Sequence, residues 1–476
     1  MDRSAERRLI ALVFLLYAVI ITWSTCVHGM WLDELQPWCV ARDSGSLVDL
    51  YHNTRHEFHP PVWYVLLYFI TRFTSAPFSM QVVHLMIALS TAAVVLWRAP
   101  FPLWWRASIL FGYFFLFEYS VMARNYGLVV LGLLVAVDAR KNHGPGWKWA
   151  MALVFAALSH LWGTALAVAM LLGEVCSGKR ERMIGPALFI VIACGAAVLW
   201  AWPASHAPRL SVVDELQLPN ALARIATSTT QGLLPWPNLA NDPVWNHNVI
   251  HDNSRLVSAL LGLALIALLW WCTPREVSAR VFFWSAFVGC LALPIMGGAY
   301  EVRHYGPLWI GWIILQWGWA PVERRAKNLT SGLLAAQMVG GVLAMDMTVA
   351  ATPLSEACRL PSVVTQAGAE DLPVVLDAYT ASPSVSGYLQ KPVLRALDGS
   401  TGSFCDGSLA PYLQSDSAAL AAVEQLPWDN FVWCTARHWH TDTLVQRLGA
   451  DVQQIGDLTR TLVPSERLTV LLVRRP

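Results

Sequence analysis

Four clusters of ionisable side chains interrupt an otherwise apolar sequence. They lie in the segments WLDEL, RHEFHPPVWY, FEYSVMARNYG and YEVRHYGP. The candidate catalytic carboxylates are Asp33, Glu34 and Glu57. The candidate substrate-binding residues in or beside these clusters, with one further histidine, are His56, His59, Arg124, Tyr126, His160, Glu301, Arg303, His304 and Tyr305. Carboxylates serve as general bases and arginines bind anions, so this set suits acid–base chemistry on an anionic substrate.

Each cluster also has a simpler interpretation. Asp33 and Glu34 could belong to a solvated loop or a helix start, and an arginine such as Arg124 often extends towards lipid headgroups. The pair Pro60-Pro61 suits the first turn of a helix. The segment HEFH lacks the i, i+4 histidine spacing of zinc peptidases, so we expect no metal and no cofactor.

The composition predicts an integral membrane protein. The chain has 476 residues, of which 55% are hydrophobic and 14% charged, and its mean hydropathy is +0.45. A soluble domain has about 25% charged residues. The 33 basic and 32 acidic residues nearly cancel, so nothing in the charge indicates a nucleic-acid partner.

Apolar segments along the chain predict eleven membrane spans. These are 9–27, 80–97, 107–119, 126–140, 147–160, 163–176, 183–202, 256–272, 281–296, 305–320 and 328–350. Segment 61–73 is ambiguous, because it could cross the membrane or lie in its interface. If it does not cross, every compact cluster of lysine and arginine falls on one side, as expected for cytoplasmic loops.

The non-crossing arrangement predicts a cytoplasmic N-terminus and an external C-terminus. It places all four ionisable clusters on the outer side, with outer loops 28–79, which would include interfacial helices, and 203–255. Ionisable residues at membrane depth are costly and indicate function.

The hydrophobic pattern stops after about residue 352. Segments 372–379, 430–434 and 467–475 resemble short strands, and segments 415–426 and 441–449 resemble helices. The sequence therefore predicts a transmembrane domain over 1–352 and a small extracytoplasmic α/β domain over 353–476. Within the latter, Cys405 and Cys434 are the best candidates for a disulfide, because disulfides persist outside the cytoplasm.

Four short pieces, WLDE, EFHPPVWY, ARNYG and RHYGP, resemble motifs of the GT-C superfamily of membrane glycosyltransferases. In particular, the pattern is similar to that of protein O-mannosyltransferases and lipid A aminoarabinose transferases. The pieces are spread over about 300 residues. A lysine of the Pro-Pro motif is missing, and His59 stands in its place.

The resemblance implies a GT-C-like fold and a sugar donor linked to polyprenyl phosphate, used on the outer membrane face. The acceptor would be a hydroxyl of a glycan, a lipid or a protein. The resemblance implies that Asp33 is the base, with Glu34 the alternative, and that Glu57 and His59 position the sugar or the acceptor. Arg303, His304 and Tyr305 would bind the donor phosphate. The reaction would be inverting and metal-independent, in the inner (plasma) membrane of a bacterium with the C-terminal domain in the periplasm.

Two other classes of function remain. A transporter or flippase of a lipid-linked or anionic substrate would have ionisable residues at the membrane midplane and repeated halves. Here the charges gather on one face and no internal repeat is visible. A structural membrane subunit that binds a partner through its outer domain would not need Asp33.

Overall fold

The structure is a computed structural model that describes most of the chain. The described residues are 3–178, 183–202, 218–241, 245–297, 301–319, 324–345, 353–396, 398–406, 416–437 and 439–476. The predicted outer loop 203–255 is therefore described only in part, and the ends of the last two predicted spans lie outside the described residues.

The chain divides into two compact units. The helical unit consists of Met1–Cys26, Glu57–Trp63 and Val82–Met347. The sheet unit consists of Val27–His56, Tyr64–Gln81 and Thr348–Pro476. The sheet unit thus contains the predicted C-terminal domain and also most of the predicted outer loop 28–79.

Helices account for nearly all of the described chain up to residue 345. They are α1 (Arg3–Val27), α2 (Leu32–Asp43), α3 (Leu47–Asn53), α4 (Val62–Thr71), α5 (Phe78–Arg98), α6 (Leu103–Leu110), α7 (Tyr126–His143), α8 (Trp147–Ser159), α9 (Leu161–Val175), α10 (Ile184–Ala201), α11 (Leu218–Leu233), α12 (Val249–Asn253), α13 (Arg255–Cys272), α14 (Val277–Gly297), α15 (Gly306–Gly318) and α16 (Arg324–Met345). Each of the eleven segments predicted to span the membrane is helical over most of its length.

Five helices of the described chain are long and apolar enough to cross a membrane: α1, α5, α10, α13 and α16. Their outward faces are apolar, since Leu12 and Leu15 of α1 are 59% and 60% exposed, whereas Tyr17 is buried. Large exposed apolar surfaces of this kind indicate contact with something other than water. The structure is that of a helical protein suited to a membrane.

The segment predicted as the span 107–119 is not one regular helix, which corrects that prediction. Helix α6 ends at Leu110, and a π-helical turn follows at Phe114–Glu118. Turns of this type are rare and are often found at functional sites. Here the turn ends on Glu118, a fully buried carboxylate.

Helix α4 occupies the ambiguous segment 61–73. It has 10 residues, and at about 1.5 Å per residue it is roughly 15 Å long. That length is about half of the hydrocarbon thickness of a bilayer. The helix is therefore too short to cross a membrane by itself.

The sheet unit contains a six-stranded mixed sheet. Its strands are β1 (Val374–Leu376), β2 (Val393–Arg395), β3 (Thr401–Gly402), β4 (Asn430–Thr435), β5 (Asp451–Leu458) and β6 (Leu468–Arg474), in the order β3-β2-β1-β4-β6-β5. Strand β1 is parallel to β2 and β4, and the other pairs are antiparallel. The helices of this C-terminal part are α17 (Leu360–Gln366), α18 (Ser382–Leu389), α19 (Asp416–Glu424) and α20 (Thr441–Leu448).

Both faces of the sheet are covered. Val432 packs in the core that includes Val364 of α17 and Val385 of α18, whereas Trp433 packs with Leu420 of α19. Successive residues of a strand point to opposite faces, so a strand buried on both sides is apolar throughout. This explains why β1, β4 and β6 are predicted correctly from their continuous apolar runs, and α19 and α20 are confirmed as well.

Within the sheet unit, hydrogen bonds join helix α2 to the C-terminal part of the chain. The Leu32 N–H donates to Oε1 of Glu466 over 2.9 Å. The Gln36 side chain donates to the Cys405 carbonyl over 2.6 Å and accepts from the Cys405 N–H over 2.8 Å. These bonds fix the start of α2, where the candidate bases lie.

The predicted disulfide between Cys405 and Cys434 is wrong. Neither cysteine forms a disulfide bond. Cys434 is buried within β4, where its backbone pairs with Val470, and the Cys405 thiol lies 3.5 Å from the Tyr379 carbonyl. Two cysteines in one domain need not be close to each other. The Cys434 side chain points to one face of the sheet, because it lies on the central strand β4.

Candidate functional site

Four separate segments of the helical unit bring polar side chains into one buried cluster. His59 precedes α4, Arg124 precedes α7, His160 lies at the break between α8 and α9, and Arg303 precedes α15. We call the set His59, Arg124, Tyr126, His160, Glu301, Arg303 and His304 the charged cluster. Every one of these residues is predicted from the sequence as a substrate-binding residue.

The centre of the charged cluster is a contact between Arg124 and two histidines. The Arg124 guanidinium donates to Nε2 of His59 over 3.2 Å. The ring centroids of His59 and His160 are 4.9 Å apart. The Arg124 guanidinium also lies 5.7 Å from the centre of the Tyr126 ring. The backbone of Phe58, next to His59, has a φ of +55°. That value is strained for a large side chain, and such strain is concentrated at functional sites.

The hydrogen bonds fix the tautomers of two histidines. Nε2 of His59 accepts from Arg124, so its proton is on Nδ1. Nδ1 of His160 accepts from the Trp162 N–H over 3.1 Å, so its proton is on Nε2. A histidine that accepts a hydrogen bond is neutral. The positive charge of the cluster therefore resides on its arginines.

Burial lowers the pKa of both His59 and His304 well below the ordinary value for histidine. For His59, the nearby Arg124, His304 and Arg303 lower the pKa further. For His304, the main further cause is Arg303. An anion placed between these groups would oppose both effects, because it favours the protonated imidazole.

Aromatic rings hold the cluster together. Tyr126 stacks on Trp162 with ring centroids 5.0 Å apart. Trp162 contacts the rings of His160 at 4.8 Å and of His304 at 6.1 Å. Trp162 thereby connects the His59 side of the cluster to the Arg303 side.

Arg303 is held by contacts from three directions. It forms an ion pair with Glu301 and lies over the Trp245 ring, 5.2 Å from its centre. The Tyr119 hydroxyl donates to the Arg303 carbonyl over 2.8 Å. Tyr119 reaches this carbonyl past Gly306, where a Cβ would lie only 2.2 Å from the Tyr119 hydroxyl.

Glu118 contacts Trp245, which lies on the Arg303 side of the cluster. Its Oε1 accepts from the Tyr113 hydroxyl over 2.8 Å and from Nε1 of Trp245 over 3.2 Å. Trp245 therefore contacts both Glu118 and Arg303. These contacts make Glu118 and Trp245 positioning residues for Arg303.

The remaining predicted residues of the helical unit border the cluster. Glu57 is half-buried in the segment before α4, two residues from His59. Tyr305 is buried at the start of α15 and lines a separate polar cavity.

Asp33, Glu34 and His56 belong to the sheet unit. Glu34 is fully buried in the first turn of α2, where its Oε2 lies 2.7 Å from Nε2 of His28 and accepts from the Trp31 N–H over 3.4 Å. Asp33 is half-buried in the same turn. Glu34 thus contacts two residues at the start of α2, and Asp33 and Glu34 both stay candidates for the base.

The sequence did not indicate several residues that build the site. Trp162, Trp245 and Tyr119 contact the predicted residues directly. Their signal is weak because the chain has 24 tryptophans and 12 tyrosines, most of which any membrane protein would use for packing. Among the described residues, no group of three or more His, Cys, Asp or Glu side chains is arranged to hold a metal ion.

The fold and the charged cluster define a helical protein, suited to a membrane, with arginine and histidine side chains gathered in one place in its helical unit. Comparison of the chain with protein-family models, curated proteins and solved structures gives no match.

Proposed function

We propose that the protein is a glycosyltransferase that moves a sugar from a polyprenyl-phosphate donor to an acceptor hydroxyl on the outer face of the membrane. The observation that carries the proposal is the charged cluster. Two arginines and three histidines from four segments converge in one largely buried place within the helical unit.

A lipid-linked sugar phosphate has the properties that such a site would recognise. Its phosphate is an anion that arginine binds through charge-assisted hydrogen bonds. Its hydrocarbon chain suits the exposed apolar faces of helices such as α1 and α13. The crevice beneath Tyr126 and Trp162 has a volume of about 10 Å³ and is too narrow for that chain.

In the proposed reaction, the acceptor oxygen attacks the anomeric carbon of the sugar. A carboxylate takes the acceptor proton, and the bond from the anomeric carbon to the phosphate oxygen breaks, so that polyprenyl phosphate leaves. A phosphate monoester has a second pKa near 6 and leaves largely as a dianion. The leaving group therefore needs positive charge, which Arg124 and Arg303 would supply and to which His59 and His304 would contribute when protonated.

Glu57 is the carboxylate of the helical unit that we expect to position the sugar or the acceptor. The role of Asp33 as the base is a prediction that rests on the resemblance to GT-C enzymes. The inverting course and the eleven-span arrangement are part of the same proposal.

The test is sugar transfer by the purified protein in nanodiscs. Polyprenyl-phosphate mannose and polyprenyl-phosphate aminoarabinose, the donors of the families that the sequence resembles, are supplied with a mixture of cell-envelope glycans and lipids. Release of polyprenyl phosphate by the wild type and its loss in Arg303→Ala would support the proposal. Equal release by both proteins would contradict it.

A further inference from the structure

A polar cavity of about 650 Å³ lies beside the charged cluster, between α11, α12 and α13. Its volume is within the range of about 300–1,000 Å³ that is typical of small-molecule sites. Most of its lining residues have polar side chains, and the residues used here are Arg224, Ser228, Gln231, Asn246, His251 and Arg255. None of them is among the residues that the sequence or the proposed reaction singles out.

The two helices that form the floor of the cavity, α11 and α13, pack closely against each other. Gly262 of α13 lies so close to α11 that a Cβ there would come within 1.8 Å of the Ala226 carbonyl. The Thr230 hydroxyl donates to the Ser258 carbonyl over 2.6 Å, which ties the two helices together. These contacts fix the positions of the two helices relative to each other.

Two buried polar atoms of the lining residues have no hydrogen-bond partner within the part of the chain that the structure describes. They are Oδ1 of Asn246 and Nδ1 of His251. Buried polar atoms without partners are rare in native structures and call for an explanation. Opposite α11, Asp252 accepts from Asn238 and Asn241 over 3.0 Å and lies 3.1 Å from Nδ1 of His247, so this part of the rim is already bonded internally.

The cavity adjoins the charged cluster at two places along the chain. Asn246 follows Trp245, which contacts Arg303. Tyr305, which lines the cavity, is two residues from Arg303. A molecule in the cavity would therefore lie next to the place where the donor phosphate is expected.

We infer that this cavity binds an anionic carbohydrate, which is the acceptor in the proposed reaction. Hydroxyl and amide side chains such as Ser228, Gln231 and Asn246 match the donors and acceptors of sugar hydroxyls. Arg224 and Arg255 match a carboxylate or phosphate on the same molecule. The role of this carbohydrate as the acceptor rests on the proposed function. Its binding in the cavity does not.

The experiment measures direct binding of three soluble probes to the full-length protein in phosphatidylcholine nanodiscs. The probes are glucuronic acid, glucose 6-phosphate and glucose, followed by saturation-transfer NMR. We expect at least one of the anionic probes to bind about ten times more tightly than glucose. Tighter binding of glucuronic acid would identify the anionic group as a carboxylate, and tighter binding of glucose 6-phosphate would identify it as a phosphate.

Variants locate the binding. Two variants should each weaken binding of the anionic probe about tenfold. Arg255→Gln removes a charge on the exposed rim, and Ser228→Leu fills the buried floor. Arg98→Gln is the matched control, because Arg98 pairs with Asp138 away from both sites. Arg303→Ala should leave probe binding unchanged while impairing transfer. Since Arg255 is exposed, its replacement tests the cavity even if Ser228→Leu does not fold.

Three results would overturn the inference: equal binding of glucose and the anionic probes, unchanged binding in Arg255→Gln, or displacement of the probe by phosphatidylglycerol, which would assign the cavity to a lipid headgroup. If the probe binds at Arg255 but no lipid-linked donor is used, the proposed reaction fails and the inference about the cavity stands. If transfer proceeds normally in Arg255→Gln, the reaction stands and the inference fails.

Discussion

Arg124 donates a hydrogen bond to Nε2 of His59 over 3.2 Å, although 65 residues separate them in the sequence. The bond joins two of the four polar clusters of the sequence. It also fixes His59 as a neutral acceptor, so the site has an arginine charge and an imidazole that can still take up a proton.

The pH dependence of donor binding follows from this arrangement. Burial and Arg124 lower the pKa of His59, and a bound phosphate would raise it, so binding takes up a proton. The sugar-linked donor is a phosphodiester, whose single charge does not titrate in this range, so its affinity should increase as the pH falls from about 7 to about 5, by up to roughly tenfold per pH unit for one proton. His304, His160 and Arg303 face the same place and can contribute.

The variant His59→Gln provides the comparison, because its amide oxygen can still accept from Arg124 but does not titrate. Binding measured in nanodiscs across this pH range should show a shallower slope in His59→Gln than in the wild type. An identical slope would mean that His59 does not take up the proton.

The two candidate bases are separated by paired substitutions. Asp33→Asn should abolish sugar transfer and leave the binding of polyprenyl phosphate nearly unchanged, because it removes a base and keeps the shape. Glu34→Gln should mainly destabilise α2, since Glu34 contacts His28 and the Trp31 N–H. Loss of such a helix-start contact costs about 1 kcal/mol. Normal transfer by Asp33→Asn with none by Glu34→Gln would make Glu34 the base.

Glu466 gives the sheet unit a characteristic dependence of stability on pH. Burial raises the pKa of its carboxyl from 4.5 to about 7, against the hydrogen bonds from Ser384, Leu32 and Ser355. The folded state thus holds a proton that the unfolded state releases between these values. The contribution of Glu466 is fully present below pH 4.5 and is lost as the pH rises to about 7, a change of about 3 kcal/mol.

Glu466→Gln should remove this dependence. The free energy of unfolding of the sheet unit is measured by hydrogen exchange at pH 5 and pH 8, in the wild type and in Glu466→Gln. The stability of the wild type should fall more than that of Glu466→Gln as the pH rises. A parallel pH dependence in both would show that Glu466 is ionised throughout.

A buried ion pair stabilises the helical unit. Arg140 of α7 pairs with Glu174 of α9, donates to the Gly318 carbonyl over 2.6 Å, and lies 3.9 Å from the centre of the Trp319 ring. Arg140→Ala leaves Glu174 buried without its partner, which should cost about 3–5 kcal/mol. Thermal unfolding in detergent measures the loss, with Arg98→Gln at a half-exposed pair as the control. Equal melting temperatures of the two variants would contradict the role of the buried pair.

Most helices of the helical unit and three of the strands could be predicted, because their apolar runs are long and continuous. Helix α11 was missed, since its alternating apolar and polar residues resemble a loop in a chain this hydrophobic. Strand β5 was missed for a related reason: its sequence DVQQIGDL is mostly polar and mostly solvent-exposed. Helix α11 is amphipathic and β5 lies at an edge of the sheet, so neither has the continuous apolar run of the buried elements.

The candidate site was predicted in part. His59, Arg124 and Arg303 stand out because charge is rare in apolar surroundings. Glu118 belongs to the third polar cluster of the sequence, but its contact with Trp245 could not be predicted, because 127 positions separate the two residues. The π-helical turn that orients Glu118 inward has no clear sequence signature.

The most direct test of the central claim is the binding of polyprenyl phosphate itself, which does not require the sugar or the acceptor to be known. The protein in phosphatidylcholine nanodiscs is titrated with polyprenyl phosphate, and the wild type is compared with Arg124→Ala, Arg303→Ala and the control Arg98→Gln. Loss of one charge-assisted contact costs about 1.5–3 kcal/mol, so each of the first two variants should bind roughly 10- to 100-fold more weakly. The control should bind as the wild type does. Unchanged affinity in both Arg124→Ala and Arg303→Ala would contradict the account, because the charged cluster would then not be the site of the lipid phosphate.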